Sequence, residues 1–123
     1  MILVRALVVA AGGTLGVAAR IALTMIMPTI VGVPIGILIA NVLGAFLIGI
    51  VAARLGTSTL RLFLATGILG GFTTYSTYTV GTVELWQQSP ILAIGYAVLS
   101  LVLGLAAVIA GLRVGRRRTV AAR

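Results

Sequence analysis

Residues 67–79 read Gly67-Ile68-Leu69-Gly70-Gly71-Phe72-Thr73-Thr74-Tyr75-Ser76-Thr77-Tyr78-Thr79. Paired glycines followed by β-branched and hydroxyl residues make a poor helix, because glycine loses the most backbone freedom and Ser and Thr compete for backbone hydrogen bonds. Yet the stretch sits in the middle of 22 uncharged residues between Arg61 and Glu84, a run long enough to cross a bilayer. Irregular backbone at that depth survives only where protein or a water-filled cavity surrounds it, since lipid satisfies none of its polar groups. The pattern predicts a membrane helix broken at mid-span. Broken helices of this kind serve as ion sites: freed carbonyls face cations, while helix N-termini and hydroxyls face anions. The alternative is an unbroken helix whose Ser and Thr bond back to their own turn and whose glycines serve packing.

The rest of the chain supports a membrane setting. Of 123 residues 61% are apolar and 8% charged, with a mean hydropathy of +1.29; soluble domains carry roughly 25% charged residues. A water-soluble fold this small could not hide so much apolar surface, because small domains bury only about two-thirds of what they expose unfolded. Cys, His, Asp and Lys are absent, and nine Arg against one Glu give a net charge of +8. That inventory excludes a transition-metal site of the usual kind, a thiol nucleophile and an imidazole base, so the chain does not read as an enzyme. A basic balance often signals nucleic acid. Here most Arg flank apolar runs, so the expected partner is the lipid bilayer and not nucleic acid.

The charges divide the chain into four spans of a single membrane domain, residues 1–123, at about 2–25, 35–53, 60–86 and 91–112. The first span faintly resembles a cleavable leader but runs on through Arg20 into more apolar sequence. With four spans, both termini and the link after Arg54 share one side. That side holds Arg5, Arg54, Arg61, Arg113, Arg116, Arg117, Arg118 and Arg123, and the opposite links, residues 28–34 and 87–90, hold none. The positive-inside rule therefore predicts cytoplasmic termini in a multi-pass protein of the cell membrane, with Trp86 at the outer interface. Small residues four apart, Gly12 with Gly16 and Gly32 with Gly36, suit close helix approach. Four short spans leave little room for a pathway within one chain, so an oligomer is expected.

Polar residues inside the spans mark candidate sites. Tyr75 and Tyr78, three apart, share a helix face too central for the interfacial belt; they pack together or line a pathway, where ring edges can face an anion. Asn41, at mid-span in segment two, is either helix–helix glue or part of a polar path. Arg20 lies toward the outer end of segment one, where it snorkels or holds an anion in a vestibule. Tyr96 and Ser100 sit one turn apart in segment four. Glu84 is the sole carboxylate side chain and lies near a span end. Proton-coupled transport normally uses buried carboxylates or His, so passive conduction fits better than exchange. A small multidrug exporter would need a carboxylate in segment one, and there is none.

On these residues the chain resembles the Fluc (CrcB) fluoride channels along almost its whole length. Three motifs coincide in order: Gly12-Gly13 through Gly16 to Arg20; Asn41 with Gly44 and Phe46; and Gly67 through Gly70-Gly71-Phe72-Thr73-Thr74-Tyr75-Ser76-Thr77-Tyr78. The resemblance implies an all-α membrane fold of four helices, the third broken, in an antiparallel dual-pore dimer that passively releases cytoplasmic fluoride. It implies a structural Na⁺ on carbonyls at Gly70 and Thr73. It also implies a fluoride pathway along Asn41, Tyr75, Tyr78, Tyr96 and Ser100, with Arg20 at the vestibule. Several positions depart from the family pattern. Tyr75 and Tyr78 replace phenylalanines, Ile37 and Ala106 replace polar residues, and Gly81 stands where an acidic residue is expected. These departures raise a second possibility, a non-conducting structural half that pairs with a paralogous subunit of opposite topology.

Overall fold

The computed structural model describes residues 1–121, and side chains through Arg117. Two helices, α1 (Ile2–Ile26) and α2 (Ile35–Arg54), make the first two passes. The third pass is assembled from α3 (Thr59–Arg61), a π-wound stretch (Leu62–Leu69), α4 (Gly70–Phe72) and α5 (Tyr75–Gln88), and α6 (Pro90–Ala121) is the fourth. Helices α1, α2 and α6 are each long and apolar enough to cross a membrane. The fold is that of an all-α membrane protein.

The third pass breaks where residues 67–79 predict. Thr73 (ψ 154°) and Thr74 (φ −148°, ψ 124°) are extended, and the helix restarts at Tyr75 with the Thr74 hydroxyl accepting the Thr77 N–H at 3.2 Å. This is an ordinary N-cap, satisfying one of the donors that a helix start leaves unpaired. Above the break, the backbone widens from i−4 to i−5 bonding, so that the Gly70 N–H reaches the Ala65 carbonyl. Such π-winding is rare and collects at functional sites. Periodicity does not announce it.

Glycine seams hold the passes together. A Cβ on Gly16 would collide with the Ile68 carbonyl oxygen and stand 2.8 Å from the Phe72 nitrogen; one on Gly12 would stand 2.6 Å from the Phe63 oxygen. The backbones of α1 and the third pass thus touch directly, as small-residue spacing allows. Between α2 and α6, Gly111 lies against the Phe46 carbonyl in the same way. Gly13, one residue past Gly12 on the same helix, faces open space. Gly16→Ala should therefore lower stability by about 1–3 kcal/mol through overpacking. Gly13→Ala should be neutral or stabilising by up to about 1 kcal/mol through helix propensity. Thermal unfolding of both variants in detergent checks the contrast, and equal shifts would refute a backbone-to-backbone seam.

Two details differ from the sequence reading. The link at residues 28–34 is a two-residue hairpin, with Thr29 opposite Pro34 and Ile30 opposite Val33. Its turn has Val31 at φ 51° and Gly32 at φ 80°. Both central residues of such a turn need positive φ, which suits glycine and strains a β-branched valine. The fourth helix continues past the expected span of about 91–112 to Ala121, since a span ends where hydropathy falls and a helix need not.

The charges gather at one end. Gly115 on α6 packs against Ala53 near the end of α2, and Arg5 shares a cavity with the Thr57–Arg61 turn. Arg5, Arg54, Arg61, Arg113, Arg116 and Arg117 therefore occupy the end that carries both termini. Arg123 and the side chain of Arg118 lie outside the described residues. At the opposite end the hairpin packs on α5, with Gly32 against Leu85 and Gln88 and Gly81 against Pro34. Leu85, fully buried, forms the core there with Ala93 and Tyr96.

Candidate functional site

The break exposes backbone groups that an intact helix would pair, and two side chains singled out in the sequence take them up. Asn41 on α2 donates from Nδ2 to the Thr74 carbonyl at 3.0 Å and accepts the Thr74 N–H on Oδ1 at 2.8 Å. A primary amide presents its donor and acceptor side by side, so it pairs one extended residue as a neighbouring strand would. The half-buried Asn41 is thereby satisfied at mid-membrane, with one N–H left to donate. From the opposite side Arg20 donates from Nε to the Gly71 carbonyl at 3.3 Å. Arg20 thus lies against the break, fastening α1 to it.

These bonds leave particular carbonyls without their helical donors. The Thr74 N–H, which an unbroken helix would direct to the Gly70 carbonyl, is held by Asn41. The Thr77 N–H, which would go to the Thr73 carbonyl, is held by the Thr74 hydroxyl. Thr73 itself turns back, its N–H and hydroxyl meeting the Leu69 carbonyl at 3.0 and 2.9 Å. Gly70 is exposed. Oxygen dipoles freed in this way are ligands that suit hard cations.

Beside the break lies a cavity of about 630 Å³. It brings together Asn41, Gly70, Thr73, Tyr75, Tyr78 and Ser100 from α2, the third pass and α6, with aliphatic residues such as Ile48 and Leu101 on its walls. Tyr96 does not line it and lies behind Tyr78. The three tyrosines form a ladder, with ring centroids 6.0 Å apart from Tyr75 to Tyr78 and 5.5 Å from Tyr78 to Tyr96. The ladder runs from an exposed ring to a buried one, since Tyr75 is 79% accessible and Tyr96 only 4%. The Tyr96 hydroxyl and Ser100 Oγ are both buried without a hydrogen-bond partner among the described residues. Buried polar atoms are rarely left so, because each costs on the order of 1–3 kcal/mol.

The chemistry available is that of neutral donors. Asn41, Tyr75, Tyr78 and Ser100 line one cavity close to the N-terminus of the 14-residue α5, so an amide, two aromatic rings with hydroxyls and a helix start lie near it. Such groups can replace the hydration of a small anion without neutralising it. Gly44, in the motif around Asn41, also contributes: a Cβ there would collide with the Thr73 methyl, so its absence lets α2 approach the break. The aliphatic walls at Ala45, Ile48, Ala97 and Val98 carry no sequence signal that separates them from lipid-facing positions.

Comparison with known proteins identifies the family of the chain. The family model for CrcB-like protein, Camphor Resistance (CrcB), matches residues 7–112. A fluoride-specific ion channel FluC of Paracoccus denitrificans is 47% identical over 113 residues, 88% of this chain and 91% of its own length. Proteins of the same name from Agrobacterium fabrum (42% over 116 residues, 88% of this chain, 93% of theirs) and Methanopyrus kandleri (40% over 109 residues, 85% and 83%) are also similar. The chain belongs to the CrcB family.

Proposed function

We propose that this CrcB-family chain is a subunit of a passive, fluoride-selective channel that lets cytoplasmic fluoride leave the cell. The observation that carries this reading is the cavity at the break, lined by Asn41, Tyr78 and Ser100 beside the start of α5, where neutral donors are close at hand. Fluoride is small and strongly hydrated, so it needs several weak donors to replace water, and conduction requires that none hold it too tightly. The names of the similar proteins point the same way. The test is efflux from loaded liposomes, with the chain reconstituted alone and together with a co-expressed partner of opposite charge bias. Fluoride release with chloride retained supports the function, and no release from either preparation refutes it.

Two subunits in antiparallel arrangement, with both termini of this chain cytoplasmic, complete the proposal. The exposed Tyr75 and Gly70 suit coverage by a second subunit. At the centre of that pair the Gly70 and Thr73 carbonyls would hold a structural Na⁺, not transported, which would stabilise carbonyl dipoles at a depth where lipid cannot. Replacing Na⁺ with N-methylglucamine should then lower both the unfolding temperature and the efflux rate; insensitivity of both overturns the Na⁺ assignment.

A second reading is favoured by one set of observations. Tyr75 and Tyr78 carry hydroxyls where ring edges alone are expected, and Ile37 is a buried apolar residue at an expected polar position, features of a non-conducting half that completes a dimer. Efflux from liposomes holding this chain alone separates the two, since a non-conducting half releases no fluoride by itself, and Tyr75→Phe with Tyr78→Phe then tests the hydroxyls. For a conducting subunit efflux should stay within about threefold or rise, since the ring edges remain. Loss of efflux would instead assign the hydroxyls a part in conduction.

A further inference from the structure

Away from the break, at the end that carries the termini, a second cavity of about 470 Å³ is lined by Arg5, Thr57, Ser58, Thr59, Arg61 and Leu62, with Thr66 one turn deeper. Its electrostatics are unbalanced. The sole acidic side chain of the chain, Glu84, lies on α5 toward the hairpin end, so neither guanidinium has a carboxylate side chain to face. Arg61 is partly held in place, donating from Nη1 to the Leu55 carbonyl at 3.4 Å. Ser58 Oγ accepts the Arg61 N–H at 3.2 Å, which leaves its hydroxyl proton free to donate, as are those of Thr57 and Thr59 by their chemistry. The cavity sits where α1 begins and the third pass starts, beside the ends of apolar helices, and Leu62 is the apolar residue of its lining.

We infer that this cavity binds the phosphate of an anionic phospholipid headgroup, with Arg5 and Arg61 as the cationic clamp and the hydroxyls of residues 57–59 as neutral donors. Two guanidiniums suit a phosphodiester, which accepts paired N–H donors. A lipid differs from a freely diffusing anion in bringing chains, which Leu62 of the lining and the exposed start of α1, including Ile2, would contact. The inference does not rest on the transport function, since lipid retention is measured without transport.

The experiment compares the wild-type protein with Arg5→Gln/Arg61→Gln and with Arg113→Gln/Arg116→Gln, which removes equal charge at the same end. Binding of phosphatidylglycerol against phosphatidylcholine is measured by native mass spectrometry after detergent extraction, with folding checked by gel filtration. General attraction to an anionic surface falls alike in both variants, but only the cavity variant loses charge-assisted hydrogen bonds to the phosphate, so it should bind phosphatidylglycerol at least about tenfold more weakly than the control does. Competition by inorganic phosphate at millimolar concentration, lost in the cavity variant, would support the phosphate site with the free anion as occupant. Equal weakening in both variants, or none in either, overturns the site. Efflux lowered alike in neutral and anionic liposomes with lipid binding unchanged also overturns it, making the cavity an antechamber for the transported ion.

Discussion

Asn41→Ala is expected to reduce fluoride efflux at least about a hundredfold in the conducting assembly and to destabilise the protein as well. The side chain makes two hydrogen bonds to one residue, the Thr74 carbonyl at 3.0 Å and the Thr74 N–H at 2.8 Å. Alanine leaves both backbone groups unpaired, at on the order of 1–3 kcal/mol each, in a setting where lipid offers no substitute. The chain's cheapest response is to close the break, returning the Thr74 N–H to the Gly70 carbonyl and removing the N-terminus of α5 from the cavity. Asn41→Asp distinguishes this positioning role from general damage. It keeps the acceptor for the Thr74 N–H but loses the donor to the Thr74 carbonyl. Efflux should stay suppressed because a carboxylate repels the anion, and the half-buried charge facing the Thr74 carbonyl adds its own cost to stability. Fluoride-electrode traces and melting curves for the two variants check both parts. If Asn41→Ala conducts like the wild type, the amide serves helix contact alone.

That double bond also shows what could be read from residues and what could not. The location of the break was legible, because Gly70-Gly71 followed by Thr73-Thr74 makes a poor helix and invites a break close by. The importance of Asn41 and Arg20 was legible from cost, since polar side chains inside a span must find partners. Which partners they find was not, because Asn41 and Thr74 are 33 residues apart and Arg20 and Gly71 are 51 apart, separations set by tertiary packing. Arg20 illustrates the gap: its position toward a span end suggests snorkelling or a vestibule anion, yet the glycine seam at Gly12 and Gly16 draws α1 so close that Gly71 comes within its reach. The π-wound stretch escaped for a similar reason. Its residues, Leu62–Leu69, are mostly apolar, and their winding answers to the backbones packed against them. Tyr96 and Ser100 were found by polarity, but their burial without partners is visible only in three dimensions.

Charge placement leads to the largest effect expected of the assembly. Eight Arg lie on the face carrying both termini and none in the links of the other, and the structure gathers the six it describes at that end. Basic residues next to spans dictate orientation strongly, so nearly every copy should insert with its termini in the cytoplasm. An antiparallel pair needs both orientations. If the assembly is antiparallel as proposed, a chain inserted in one direction alone cannot form that pair with itself and would need a paralogous subunit of opposite bias, whose pore residues could compensate Ile37 and the added tyrosine hydroxyls. Fusions of alkaline phosphatase and green fluorescent protein to the C-terminus should report a cytoplasmic end only, and cells expressing this gene alone should show no efflux until the second gene is supplied. The converse variant makes the prediction sharper. Arg116→Gln, Arg117→Gln and Arg118→Gln with Gln87→Arg and Gln88→Arg cut the terminal face to five Arg and give the opposite links two. That chain should show part of its copies reversed, with reporter signal on both sides of the membrane. Mixed topology or robust efflux from the unaltered gene would overturn the requirement for a partner and establish a homodimer.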